Sequence, residues 1–437
     1  MKHNLHRLLL ILSLVFVIVS GVMFITGKGN LSGPFLIAAF ILLALGVRGY
    51  EKLKGFSYTL WIFTAVTTSM FYPFLFISVG NFQLKSLIVP LLQIIMFGMG
   101  SQMSFSDFTG VIKMPKGVFV GVFSHYIIMP LVGFTIAGLF NFPPEIAAGI
   151  ILIGCVPSGL ASNVMSFLAK ANLALAVTVG AVSTLLSPFV TPMLMKLLGG
   201  QYIEVSFWSM MLDILNMIIL PIVAGFTFNL FLKGTARKKS VVAQLLSYFI
   251  IILLTNVVFM KVKNSDSAAF LIQSVKSTVW FLVLPAIGAI TMKKIVTGGE
   301  KLMSNILSMI SMIGIAAIVT IITASGRDSL LQVGALLLVT SLLHNLTGYT
   351  LGYWLSWLVG MPEKDRRTIA FEVGMQNGGL ASGLALQMGK VATVGLAPAI
   401  FGPLMNITGS ILANFWRGKP VEKESVAIPV IEGSVES

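Results

Sequence analysis

Charge is what this chain lacks most. Asp, Glu, Lys and Arg make up 10% of it, against about 25% in an ordinary soluble domain. With 29 basic and 15 acidic side chains in 437 residues, a globule of this size has too few ions to solvate its surface. That argues against a soluble enzyme. Cysteine is scarcer still: Cys155 stands alone, which excludes an intrachain disulfide framework and any cysteine-based metal site. There is no His-x-Glu, no His-Glu-x-x-His, no phosphate-cradling P-loop and no Gly-x-Ser-x-Gly nucleophile elbow. What is abundant is apolar: 56% hydrophobic residues, 42 glycines and a mean hydropathy of +0.95. This composition fits an all-α polytopic membrane protein, with the lipid bilayer as its first partner. The net charge of +14 does not point to nucleic acid, because the basic residues lie between apolar runs rather than along one face.

A membrane-crossing helix needs about 20 predominantly apolar residues. Such stretches fall near 8–27, 32–48, 57–80, 86–103, 117–139, 145–169, 172–195 and 206–232, then 241–260, 268–292, 302–324, 329–359, 366–390 and 393–416. That predicts about 14 transmembrane helices. Lys2 and Arg7 precede the first stretch as in a signal peptide, but it is long and lacks a small-residue cleavage site, so a retained helix is expected. With the N-terminus inside, 21 basic residues fall in cytoplasmic segments and seven outside. The positive-inside rule then places the chain in the cell membrane with both termini cytoplasmic.

Two short segments resemble each other at an offset of 220: Gly154-Cys-Val-Pro-Ser-Gly-Leu-Ala-Ser162 and Gly374-Met-Gln-Asn-Gly-Gly-Leu-Ala-Ser382, identical at five of nine positions. Each interrupts an apolar stretch at its middle, and each lies in the sixth of seven stretches of its half. An odd number of helices per half inverts one half relative to the other. Paired, glycine-interrupted helices in inverted halves are the mark of an inverted-repeat secondary transporter with two crossing broken helices. Such interruptions are tolerated only where protein or a water-filled cavity satisfies the freed backbone.

Two acids fall within these stretches, Asp213 and Glu372. A carboxylate at membrane depth costs a few kcal/mol or more, so it faces a partner or an aqueous path. Glu372 precedes the second interruption and is followed by Val373, Gly374, Met375, Gln376 and Asn377, an oxygen-rich cluster that suits a hard cation. Ser162 and Asn163, just after the first interruption, are its natural facing partners. Asp213 reads as structural or gating, paired with Lys276 or His125 or set in a hydrated funnel. His125 and His344 are each an interhelical hydrogen-bond donor or a proton site.

Three stretches, Gly154-Cys-Val-Pro-Ser-Gly-Leu-Ala-Ser-Asn-Val-Met165, Ser183-Thr-Leu-Leu-Ser-Pro-Phe-Val-Thr-Pro192 and Glu372-Val-Gly-Met-Gln-Asn-Gly-Gly-Leu-Ala381, resemble the bile acid:sodium symporter family. Ile95-Met-Phe-Gly-Met-Gly100, Ile128-Met-Pro130 and Asn406-Ile-Thr-Gly-Ser-Ile-Leu-Ala413 support the match, which covers about 57–232 and 299–417. The resemblance implies ten helices in two inverted five-helix repeats, with a core domain carrying the crossed broken helices and a panel domain beside it. This chain then adds a helix pair before each repeat, giving 2+5 and 2+5. The expected divisions are an N-terminal pair at 1–56, the first five-helix repeat plus a linking helix region at 57–232, a central pair at 233–298, the second repeat at 299–417 and a cytoplasmic tail at 418–437.

The resemblance also implies symport of a small organic anion with sodium. The anion would be bile-acid-like, a keto acid or a vitamin precursor. Gly159, Asn163, Asn377, Gly379 and Asn406 are the expected substrate contacts. One sodium site is implied at Ser162, Asn163 and Glu372, but the two hydroxyl positions of the pattern read Ala176 and Gly180 here. A second is implied at Glu372, Val373, Met375 and Gln376, with His125 where the pattern has a glutamine. The expectation is at most one sodium per cycle, with no cofactor beyond that coupling ion. Proton coupling or cation–proton antiport remain alternatives, although Glu372 lacks the paired acid usual in antiporters. An intramembrane enzyme or sensor is a third, without any nucleophile–base pair to support it.

Overall fold

The computed structural model describes residues 2–50, 53–103, 110–233, 238–295 and 299–419. The expected tail lies, from residue 420 onward, outside the described residues. Eleven helical stretches among the described residues are long and apolar enough to cross a membrane. Their outward faces carry large apolar side chains such as Leu14, Phe119, Leu271 and Leu338, which suit lipid rather than water.

Helix α1 (Lys2–Ile25) folds back on α2 (Gly29–Gly46) through Gly27, whose φ of +75° is the left-handed conformation that glycine adopts without strain. Helix α3 (Ser57–Phe71) is shorter than the expected 57–80. It stops before Pro73, whose ring cannot continue a helix, and the chain then forms a small hairpin pairing Ser78–Val79 with Phe82–Gln83. There follow α4 (Ile88–Gln102), α5 (Pro115–Leu139), α6 (Pro144–Cys155), α7 (Ala161–Leu168) and α8 (Leu173–Leu194). Helix α9 (Phe207–Ile214) continues through a π-helical turn at Leu215–Ile219 into α10 (Leu220–Lys233). Next come α11 (Lys238–Lys263) and α12 (Ser267–Thr278), which runs through a second π turn, Val279–Val283, into α13 (Leu284–Ile295). The last five are α14 (Gly299–Ser325), α15 (Arg327–Leu358), α16 (Glu363–Gly374), α17 (Gly378–Gln387) and α18 (Leu396–Arg417).

The helices sort into two packed groups. Helices α5–α8 and α15–α18 form one, with α5 and α15 embracing the two interrupted helices α6/α7 and α16/α17. Helices α3, α4, α10 and α14 form the other. Within it α4 and α10 approach backbone to backbone: a Cβ on Gly225 would stand 2.5 Å from Ser101 N, so only glycine allows this contact. The pair α1–α2 flanks this second group at α3, and α11–α13 flank it at α10. The first group therefore holds both interruptions, and the second group presents a wall toward them.

Candidate functional site

The two interruptions close each other's backbone hydrogen bonds. Helix α6 ends at Cys155 and α7 begins at Ala161; α16 ends at Gly374 and α17 begins at Gly378. In the gaps, Ser158 and Gln376 pair as antiparallel strands. Gly159 N–H donates to Met375 O and Asn377 N–H donates to Pro157 O, both at 2.9 Å. An unsatisfied backbone group in a bilayer core costs several kcal/mol, and here each break supplies what the other lacks. Gly159 is essential to the crossing, since a Cβ there would sit 2.6 Å from Gln376 O.

Side chains satisfy the remaining carbonyls. His125, on α5, places Nδ1 2.8 Å from Glu372 O and Nε2 2.9 Å from Val156 O, so one ring spans both broken helices. A neutral ring carries one N–H and satisfies one of these carbonyls; a doubly protonated ring satisfies both. Thr191 Oγ1 donates to Cys155 O, Asn345 Nδ2 to Gly374 O and Gln376 Nε2 to Val373 O, at 2.7–2.8 Å. Pro157, inside the first gap, and the pairing just described explain why the chain leaves the helix here rather than kinking.

At the centre lies Glu372, fully buried. Ser162 Oγ is 2.5 Å from its Oε1, linking α7 to α16. Its Oε2 has no hydrogen-bond partner, and neither do the buried Asn163 Oδ1 and Gln376 Oε1. A charge or polar oxygen buried without a partner is costly. Three such acceptors near the crossing are oxygens of the kind that could hold a hard cation. On the α8 side the pattern thins: Gly180 Cα faces Glu372 Oε2, the single atom that a Cβ there would meet, at 3.5 Å.

Two adjoining cavities lead to this centre, both between the two helix groups. The larger, about 640 Å³, is lined by Asn163, Gly180, Asn406, Gln102, Tyr58 and Ser311, among others, and reaches Gly55 and Met103 at the ends of α3 and α4. The smaller, about 100 Å³, reaches Gly159, Gln376, Asn377, Gly378, Gly379 and Asn406 at the N-terminus of α17. No Lys, Arg, His, Asp or Glu is among the described residues that line either. Asn377 Oδ1 caps α17 by accepting from Leu380 N, which leaves its Nδ2 as a donor.

The structure thus brings together Ser162, Glu372, Val373, Met375, Gln376 and His125 around the crossing, and Asn163, Gly159, Asn377, Gly379 and Asn406 along the cavities. Val373 O and Met375 O each already accept a protein hydrogen bond, from Gln376 and Gly159. Asp213 lies elsewhere. It lines a separate cavity with Glu204, Gln387 and Lys390 near the opposite face. His125 is committed to the two carbonyls and Lys276 is exposed, so the anticipated Asp213 pairings are not formed; Lys263 is the basic residue whose charge reaches it. A π turn directly follows Asp213, a local irregularity the apolar pattern did not reveal.

Several contributors escaped sequence reading. Asn345, rather than its neighbour His344, satisfies the second break. At the two ends of the interrupted helices, Glu145 of α6 binds Lys390 and Thr393 beyond α17, while Asn172 beyond α7 binds Asp365 and Thr368 of α16. Only their polarity in otherwise apolar surroundings signalled them.

Comparison with known proteins was informative on family. The pattern described as "Sodium Bile acid symporter family" matches residues 89–269. The chain is 33% identical over 380 residues to the "Uncharacterized sodium-dependent transporter YocS" of Bacillus subtilis, covering 87% of this chain and 96% of that one. It is 29% identical over 326 residues to the "Probable sodium/metabolite cotransporter BASS1, chloroplastic" of Arabidopsis thaliana, covering 75% of this chain and 65% of that one. Among solved structures, the sodium proton antiporter MjNhaP1 from Methanocaldococcus jannaschii superposes with a TM-score of 0.47 at 12% identity, over 89% of this chain and 98% of that one.

Proposed function

The chain belongs to the sodium bile acid symporter family, and from that premise we propose that it carries a small organic anion across the cell membrane, driven by sodium. The family is one of transporters, not enzymes. The names of the two relatives, a sodium-dependent transporter and a sodium/metabolite cotransporter, support the choice of ion. One observation carries the reading: beside the mutually paired interruptions, Glu372 Oε2, Asn163 Oδ1 and Gln376 Oε1 are each buried without a hydrogen-bond partner.

On this reading α3 and the two interrupted helices cross the membrane beside the eleven long stretches, giving fourteen crossings. Of these, α3, α4, α5, α6/α7 and α8 make one five-helix repeat and α9–α10, α14, α15, α16/α17 and α18 the other, of opposite orientation, with the pair α1–α2 before the first and α11–α13 inserted within the second. The group holding the interruptions is the core and the α3/α4/α10/α14 group is the panel. Sodium sits against Glu372, Ser162 and Asn163. A second position at Val373, Met375, Gln376 and His125 has its carbonyls filled by protein donors, which favours a single ion per cycle. The anion lies between core and panel, held by Asn163, Asn377 and Asn406 near Gly159 and Gly379, where the N-termini of α7 and α17 offer positive dipole ends. Alternating access follows if core and panel slide past one another and carry this centre from one cavity mouth to the other.

Glu372→Gln tests this directly. It keeps shape and removes the charge, so sodium-driven anion uptake into proteoliposomes falls to background while the protein still inserts and purifies. Uptake and sodium dependence equal to wild type would remove Glu372 from the ion site.

A further inference from the structure

The ion position beside Glu372 is built on one side only. Glu372 Oε2 and Asn163 Oδ1 are buried without a partner, and Ser162 Oγ donates to the other carboxylate oxygen of Glu372. Hard cations take about six oxygen ligands. The opposite wall is α8, and it offers none. Ala176 and Gly180 have no side-chain oxygen, and the hydroxyls near them are spent on their own helix. Thr178 donates to Ala174 O, while Ser183 and Thr184 both donate to Gly180 O, at 2.7–3.0 Å. Gly180 instead borders the 640 Å³ cavity, together with Asn163, Val177 and Ala181. A Cβ built on Gly180 would meet only Glu372 Oε2 within 4 Å, so at this position no side chain separates that oxygen from the cavity that Gly180 lines.

We propose that an oxygen of the transported anion completes this site: the anion is a direct ligand of the sodium ion. The proposal rests on the sodium-coupled reading above and adds how the two solutes meet. Water fills a coordination gap equally well, but charge decides between them. Among the described residues lining both cavities there is no lysine, arginine or histidine. A carboxylate entering there finds amides and helix dipoles but no full positive charge except the ion. The ion in turn finds Glu372 on one face and the entering carboxylate on the other. Each then tightens the other by the same factor, as linkage requires. Coupling needs no further device. The substrate class follows: an anion whose carboxylate is sterically free to reach a metal ion.

The test is sodium binding to purified wild type, Gly180→Ser and Gly180→Ala, by scintillation proximity with labelled sodium. Each is measured without anion and with pyruvate, pantoate or cholate. Gly180→Ser places a hydroxyl where the site is open, and Gly180→Ala fills the same space without an oxygen. The expected result is weak sodium binding by wild type and Gly180→Ala alone, about tenfold tighter when an anion engages the ion. Gly180→Ser binds sodium tightly without anion, and no anion tightens it further. If wild type binds sodium alone as tightly as Gly180→Ser, and no anion changes it, the protein or water completes the site and the proposal is wrong. If none of the three forms binds sodium, the sodium-coupled reading falls as well.

Discussion

His125 ties the two breaks together through one ring. Its ring reaches Glu372 O and Val156 O, the carbonyls nearest the ends of the two broken helices, in a region with no water to replace it. His125→Leu removes the ring N–H and strands the carbonyl it serves at about 1–3 kcal/mol, whereas His125→Gln keeps an amide donor within reach of it. The expected order of thermal stability in detergent is wild type, then Gln, then Leu. A Leu variant as stable as wild type would mean that the ring is not what joins the breaks. Sequence alone marked His125 as a buried polar residue at a substituted position. It gave no means of seeing that both nitrogens are used, because the two acceptors lie 31 and 247 residues away.

At the scale of elements, the repeat seen in sequence is true in outline and shifted in register. An offset of 220 pairs Ala161 with Ala381, yet α7 starts at Ala161 and α17 already at Gly378. The difference is local chemistry. Asn377 caps α17 with its side chain, so that helix starts early; Leu160 has no capping side chain, and Pro157 holds the first break open. Gly159 and Gly379, alike in sequence, therefore play different parts. A Cβ at Gly159 collides with Gln376 O, a backbone atom that cannot retreat without losing the antiparallel pairing. At Gly379 it meets the tip of the flexible Leu92 side chain at 3.2 Å. Gly159→Ala is thus expected to cut uptake by at least about tenfold, the rate equivalent of roughly 1.4 kcal/mol, and Gly379→Ala to leave most of it. Equal loss in both would contradict this crossing geometry. The helices themselves were legible, since apolar length is a local property; α3 was overread only because Pro73 sits inside an apolar run. Which backbone groups meet across the crossing was not legible, because that pairing joins residues more than 200 positions apart.

For the whole molecule, one helix group carries both interruptions and the other walls the larger cavity, which reaches the face bearing Gly55 and Met103. The positive-inside expectation makes that face cytoplasmic. Cys155 is fully buried, so the native chain gives a quiet background for thiol labelling. Ser410→Cys, in the larger cavity, is expected to react with a membrane-impermeant maleimide applied from the cytoplasmic side in the absence of sodium. Labelling from the outer side alone would reverse the orientation. Composition carried the membrane class, but the lack of cationic side chains among the described residues lining the cavities emerged only once helices distant in sequence were brought together.

Sodium-driven transport at the crossing of the two interrupted helices is the central claim, and flux measures it most directly. Wild type and Glu372→Gln are reconstituted side by side, and uptake of labelled pyruvate, pantoate and cholate is followed under an inward sodium gradient, then with potassium replacing sodium. The account predicts accumulation of at least one of these anions by wild type, only with the sodium gradient, and none by Glu372→Gln. Accumulation that is unchanged when potassium replaces sodium, or that persists at the wild-type rate in Glu372→Gln, would contradict it.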